Sequence, residues 1–168
     1  MEFRLATLED LPQIKAVYTE IIEDMREKRM EIWDDVYPCA CFEEDIGRGR
    51  MHVLVDNGII AAGFVLNDGH PGSASIGWTM ADGKALYLDR LGVNVKYVRK
   101  GMGSAALKRA EQIARVLGAQ SVRLFVVDFN VPAIRLYEKN GYARAAGMYD
   151  NVVDETLVLP EYGYEKRV

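Results

Sequence analysis

The residues best suited to chemistry gather in Leu86–Gly103, LYLDRLGVNVKYVRKGMG. Gly101 and Gly103 stand at the head of an amphipathic run, and Lys96, Arg99 and Lys100 put positive charge just before them. The first NH groups of a helix have no acceptor in their own helix, and glycine lets a ligand come close to them. The spacing therefore suits a phosphate or pyrophosphate seated at Gly101–Ser104. The pattern G-x-x-x-x-G-K-[ST] fails, because Lys100 precedes the glycines. Gly101, Gly103 and Ala106 do satisfy G-x-G-x-x-G/A, but a basic turn separates them from the strand. Residues 119–124, AQSVRL, also lack the acid that would hold a ribose hydroxyl.

The elements that must position this stretch follow from the pattern of apolar residues. Residues 2–6 read as a first strand. Thr7 and Asp10 resemble a capping box before Pro12, and Leu11, Ile14, Val17, Ile21 and Met25 keep helical spacing to about residue 27. In KRMEIWDDVYPCAC the large aromatics Trp33 and Tyr37 flank Asp34 and Asp35, either as a cover for the core or as the lining of a pocket. Phe42–Ile46 suggests a second helix. Met51–Val55 and Ile59–Leu66 flank Asp56-Asn57-Gly58, and Asn-Gly predicts an antiparallel hairpin because both central positions need positive φ. Residues 73–84 form a long polar excursion containing Trp78, read as a short extra strand or a functional loop.

Ala85–Val93 is the next strand, in which Asp89 shares parity with Tyr87, Leu91 and Val93. From Met102 a helical stripe runs to Gly118. A strand at 122–127 and a short helix opened by Pro132 and closed by Asn140-Gly141 follow. Tyr142–Ala146 and Glu155–Leu159 read as a final pair of strands around Asp150-Asn151. The whole is an α+β (mixed α/β) domain over residues 1–168, antiparallel in its first half, with one parallel step at 85–128.

Composition narrows the function. The chain has 168 residues, 49% hydrophobic and 27% charged, with a net charge of −4. That charge argues against a nucleic-acid partner, which needs a basic face, and the local basic groups fit a small anion instead. No run of ~18 apolar residues suggests a membrane span, and the N-terminus lacks the apolar core of a signal peptide, so the expected location is the cytoplasm. Cys39 and Cys41 are spaced C-x-C, poorly placed to bridge, and no second cysteine pair exists for zinc. They read as ordinary thiols, with no metal expected.

The strand ending LGV, the turn YVRKGMGSA and the downstream NVPAIRLYEKNGY together resemble the GNAT acyltransferase superfamily. Asn130, Ala133, Leu136, Tyr137, Gly141 and Tyr142 all match its motif N-x-x-A-x-x-L-Y-x-x-x-G-[FY]. In the pattern [QR]-x-x-G-x-[GA], Val98 stands at the first position, with Arg99 one residue late. That position chiefly contributes its backbone NH, and Arg99 or Lys100 offers a substitute charge. The segment Trp33, Asp34, Tyr37 and Pro38 is similar to a W-D-x-x-Y-P stretch in small stand-alone members.

The resemblance implies a GNAT-type acyl-CoA N-acyltransferase fold, with a central mixed, mostly antiparallel sheet flanked by helices. It also implies direct acetyl transfer from acetyl-CoA to an amine acceptor. Backbone groups of Leu91, Gly92 and Val93 would pair with the pantetheine arm. NH groups of Val98, Arg99, Lys100, Gly101, Met102, Gly103 and Ser104 would hold the pyrophosphate. Asn130 would hold pantetheine or cap the last helix. Tyr137 would be the general acid that protonates the leaving thiolate. A base is needed for the acceptor ammonium, and Asp89 or His70 is a candidate, while Trp33, Asp34 and Tyr37 suit recognition of a cationic acceptor. A homodimer is common for the resemblance. The alternative is a non-catalytic acyl-CoA-binding or sensory module.

Overall fold

The computed structural model describes residues 1–168. Contacts divide the chain into two units, residues 1–66 with 90–109 and residues 67–89 with 110–168. The first holds β1 (Glu2–Leu5), α1 (Leu11–Glu27), α2 (Phe42–Gly47), β2 (Met51–Asp56) and nearly all of β3 (Ile59–Asn67). β5 (Ala85–Val93) and α3 (Met102–Val116) contribute residues to both units.

In the first unit β1, β2 and β3 pair antiparallel. Asp56 pairs with Ile59, and Asn57 and Gly58 between them have φ of 49° and 80°. This is the two-residue turn that Asn-Gly predicts, because its backbone twist matches that of the flanking strands. One face of α1 buries Ile14, Val17, Tyr18 and Ile21 in a core with Phe42, Met51, Val53 and Val65. The start of α1 is fixed by charge. The Thr7 NH and hydroxyl donate to Asp10 Oδ2 at 2.8 and 3.1 Å, and Arg4 donates to both Asp10 oxygens at 2.6 and 2.8 Å. The hydrogen bonds from Arg4 hold the Asp10 carboxyl down at about 2.

The second unit is built on β6 (Ser121–Val127). It pairs parallel with β5 over Ala85–Leu88 and antiparallel with β10 (Val158–Arg167) over residues 161–167. A parallel step needs a crossover, and the chain between β5 and β6 carries α3. α4 (Val131–Lys139) follows, capped by Asn130 Oδ1, which accepts from the Ala133 NH at 3.3 Å. The excursion at 73–84 includes the two-residue strand β4 (Ile76–Gly77). After α4 come β7 (Ala143–Arg144) and β8 (Ala146–Gly147), and β4 pairs antiparallel with β8.

The C-terminal strands differ from the expected pair around Asp150-Asn151. Asp150 and Asn151 do not form a turn. They lie within β9 (Tyr149–Val152), which pairs with Val158–Glu161 of β10. The turn is at 153–157, where Asp154 Oδ1 accepts from the NH groups of Thr156 and Leu157 at 2.7 and 3.0 Å. Asp154 supplies the side-chain-to-backbone bonds of a turn, while cross-strand pairing overrides the turn preference of Asp-Asn. The last strand accordingly runs ten residues, not the five of Glu155–Leu159.

Candidate functional site

The loop at 94–104 is organised by Asn94, which is buried. Its NH donates to the Ala61 carbonyl at 3.0 Å, its Nδ2 to the Ile60 carbonyl at 2.9 Å, and its Oδ1 accepts from the Lys96 NH at 3.0 Å. One side chain thus fastens the end of β5 to β3 and starts the 3-10 turn Val95–Tyr97. Val98 is extended and 47% exposed. Arg99 and Gly101 then take left-handed φ of 62° and 79°, which swings the chain into α3. A Cβ on Gly101 would meet nothing within 4 Å, so glycine serves this position through its φ. The Ala105 NH bonds the Gly101 carbonyl at 3.0 Å as the first helical bond. The NH groups of Met102 and Gly103 therefore have no acceptor within their own helix. The Lys100 ammonium lies 5.1 Å over the Tyr97 ring, and the Tyr97 hydroxyl donates to Asp56 Oδ2 at 3.1 Å.

The end of β5 departs from regular strand geometry. Arg90 has φ of 52°, and a left-handed residue inside a strand interrupts the two-residue alternation of side chains. The expected parity of Asp89 with Leu91 and Val93 consequently does not carry across Arg90. Tyr18, fully buried, is the post beneath this kink. Its hydroxyl lies 2.6 Å from the Arg90 carbonyl and 3.0 Å from that of Gly63. A Cβ on Gly92 would fall 2.7 Å from the Tyr18 ring, so Gly92 is required by close approach. The Arg90 guanidinium faces Asp45 at 3.4 Å and the Tyr37 ring at 5.4 Å.

The residues expected to recognise the acceptor have structural occupations. Trp33 stacks on Tyr18 at 5.6 Å and packs against the core. Asp34 Oδ1 accepts from the NH groups of Val36 and Tyr37 at 2.8 and 2.7 Å, which shapes its own loop. Burial pushes the Cys39 thiol up, away from the thiolate that a nucleophile needs.

In the second unit Tyr137 is buried on α4, with its ring 6.2 Å from Tyr142 and 6.4 Å from Tyr164. Desolvation first, and the charge of Asp89 second, push its phenol above the usual range, so the hydroxyl stays neutral. The fold thus brings Asp89 and Tyr137 within electrostatic reach of each other. His70 stacks on Phe125 at 3.9 Å, and its Nδ1 accepts from the Gly72 NH at 3.1 Å, which holds the turn at 70–72.

Around these residues lies a network that no local motif in the sequence marks. Arg123 donates to the Tyr87 hydroxyl at 3.0 Å and to the Met80 carbonyl at 2.7 Å, and its Nε is 3.8 Å from Glu165 Oε2. Glu165 Oε1 accepts from the Thr79 NH at 2.6 Å. The excursion at 73–84 is tied down by this pair, and the available signal was an arginine in the middle of an apolar strand. No local signal in the sequence marks Glu161 on β10 either. No three His, Cys, Asp or Glu side chains gather in position to hold a metal ion, and no helix is long and apolar enough to cross a membrane.

Residues 14–142 match the Acetyltransferase (GNAT) family, and the chain belongs to it. Over 64 residues it is 34% identical to the thialysine N-epsilon-acetyltransferase of Sus scrofa, covering 38% of this chain and 36% of that protein. Over 60 residues it is 37% identical to an uncharacterised protein of Bacillus subtilis (strain 168), covering 36% of this chain and 37% of that one. The chain thus spans little more than a third of the length of either relative. A GNAT-family acetyltransferase from Streptococcus agalactiae 2603 has the same fold, with a TM-score of 0.84 at 20% identity over 99% of this chain and 95% of that one.

Proposed function

We propose that the chain is an N-acetyltransferase that moves an acetyl group from acetyl-CoA directly to the amine of an acceptor, without an acyl-enzyme. The NH groups of Val98–Ser104 hold the pyrophosphate, and the positive end of α3 adds ~0.3–1 kcal/mol for an anion placed there. Leu91, Gly92 and Val93 pair with the pantetheine arm as an added strand, and their NH groups polarise the thioester carbonyl. Tyr137 gives its proton to the leaving sulfur. Asn130 acts through the start of α4, which its side chain caps.

The observation that carries this reading is Tyr137 itself. It is buried on α4, within electrostatic reach of Asp89, in a chain that belongs to an acetyltransferase family. The thialysine acetyltransferase among the partial relatives supports an acceptor amine on a flexible chain. Acetyl-CoA as cosubstrate supports the cytoplasm as the place of action.

A screen of primary amines with acetyl-CoA, read by release of free thiol, tests the reaction. Thiol release that depends on an added amine is the expected result. Stabilisation by acetyl-CoA with no release from any amine would favour the non-catalytic acyl-CoA-binding module instead.

A further inference from the structure

We propose, resting on the acetyltransferase reading, that Glu161 on β10 is the group that takes the proton from the acceptor ammonium. Strand register sets the geometry. Arg123 is opposite both Tyr87 and Glu165, and Val127 is opposite Glu161. Residues two apart on a strand share a face. Arg123, Phe125 and Val127 of β6 therefore share one face with Glu165, Gly163 and Glu161 of β10, all within the second unit. In the middle of that face the Phe125 ring is stacked by His70 at 3.9 Å and met edge-on by Trp78 at 5.7 Å and Tyr149 at 5.8 Å. The result is an aromatic wall with a carboxylate at each end.

The two carboxylates differ in how far they are committed. Glu165 is 2% exposed, paired with Arg123 and bonded by Thr79, so it is a structural ion. Glu161 has no cation beside it. Its Oε1 accepts from Asn151 Nδ2 at 3.1 Å, which orients the carboxyl, and its Oε2 has no partner in the chain. Desolvation and the charge of Asp89 on β5 push it up to about 7, against the pull of Asn151. The other titratable groups around it are Tyr149, opposite it on β9, and Asp150 and Asp128, both set against Pro160. A base poised near neutrality is the most effective for an amine that must be deprotonated near pH 7. His70 is less suited, because its Nδ1 lone pair is used in holding the turn.

The step balances. An N–H proton of the ammonium passes to Glu161 Oε2, and the freed lone pair forms the C–N bond at the thioester carbonyl. The C–S bond breaks with its electron pair on sulfur, which takes the Tyr137 proton. The second amine proton leaves the nitrogen and restores Tyr137. Glu161 returns its proton to solvent. Asp89 is a positioning residue here, since its charge raises both Glu161 and Tyr137.

The test uses protein labelled with 13C at the glutamate carboxyls, with the Glu161 resonance assigned by its loss in Glu161→Gln. It should titrate near neutrality, and Asp89→Asn should lower it towards the ordinary range. With benzylamine as acceptor, Glu161→Gln should reduce thiol release by ~100-fold or more, the scale of general-base catalysis. Aniline, already neutral at pH 7, should lose much less of its rate in the variant than benzylamine does. A Glu161 carboxyl that titrates in the ordinary glutamate range overturns the inference whatever the acceptor, and so does an unchanged benzylamine rate. Failure of acetyl-CoA to stabilise the wild-type protein overturns the acetyltransferase reading instead, and is read separately by thermal shift.

Discussion

The loop at 94–104 and the face shared by β6 and β10 are built by opposite means. The loop is a backbone device: Asn94 pins it, Arg99 and Gly101 turn it with left-handed φ, and what it offers a ligand is a row of NH groups. The face is a side-chain device, in which the buried Arg123–Glu165 pair fixes the framework around Phe125 and Glu161. A backbone device tolerates changes of side chain and fails when φ or close approach is disturbed. A side-chain device fails when one buried partner is lost.

The largest expected effect lies in the face. Arg123→Met leaves Glu165 buried and uncompensated, and should cost ~3–5 kcal/mol in urea unfolding, part of which Glu165→Gln in the same chain should restore. Tyr137→Phe should come next. It should lower turnover by ~100-fold, about 2.7 kcal/mol of barrier, with acetyl-CoA affinity unchanged. An unaffected rate would remove Tyr137 from its role.

On the backbone side, Gly92→Ala drives a methyl into the Tyr18 ring and should cost ~1–3 kcal/mol, read as a lower melting temperature. Asp10→Asn should cost less, ~1 kcal/mol, the scale of a lost helix cap. The folded-state pKa of Asp10 lies below its unfolded value. Its contribution is therefore complete above about pH 4 and is lost as pH falls through about 2, so the variant and wild type should converge in acid. The smallest effect is the most diagnostic of a backbone device. Val98→Ala should leave acetyl-CoA affinity within ~0.5 kcal/mol, as for an exposed side chain outside any network. A large loss would show that the side chain at this position matters after all.

The same contrast explains what could be read from the sequence. The hairpin at Asn57-Gly58, the helix opened by Gly101 and Gly103 and the cap at Asn130 are local, because turn and cap preferences act over a few residues. The Arg123–Glu165 pair and the Thr79–Glu165 bond join residues far apart in sequence, 86 in the latter case. Nothing local marks them. Arg90 was illegible for another reason: a non-glycine residue adopts positive φ there because Tyr18, placed by α1, holds its carbonyl. Asp150-Asn151 misled because a strong turn pair was absorbed into β9 by pairing with a distant strand.

The central claim is that this chain holds acetyl-CoA on the backbone of the loop at 94–104. Thermal denaturation of the wild-type protein with acetyl-CoA, CoA, NAD and ATP tests it most directly. At a hundredfold excess over Kd, linkage should add ~2.7 kcal/mol of stability for acetyl-CoA, with a comparable rise for CoA and none for NAD or ATP. No rise with millimolar acetyl-CoA, or an equal rise with NAD, would contradict the account.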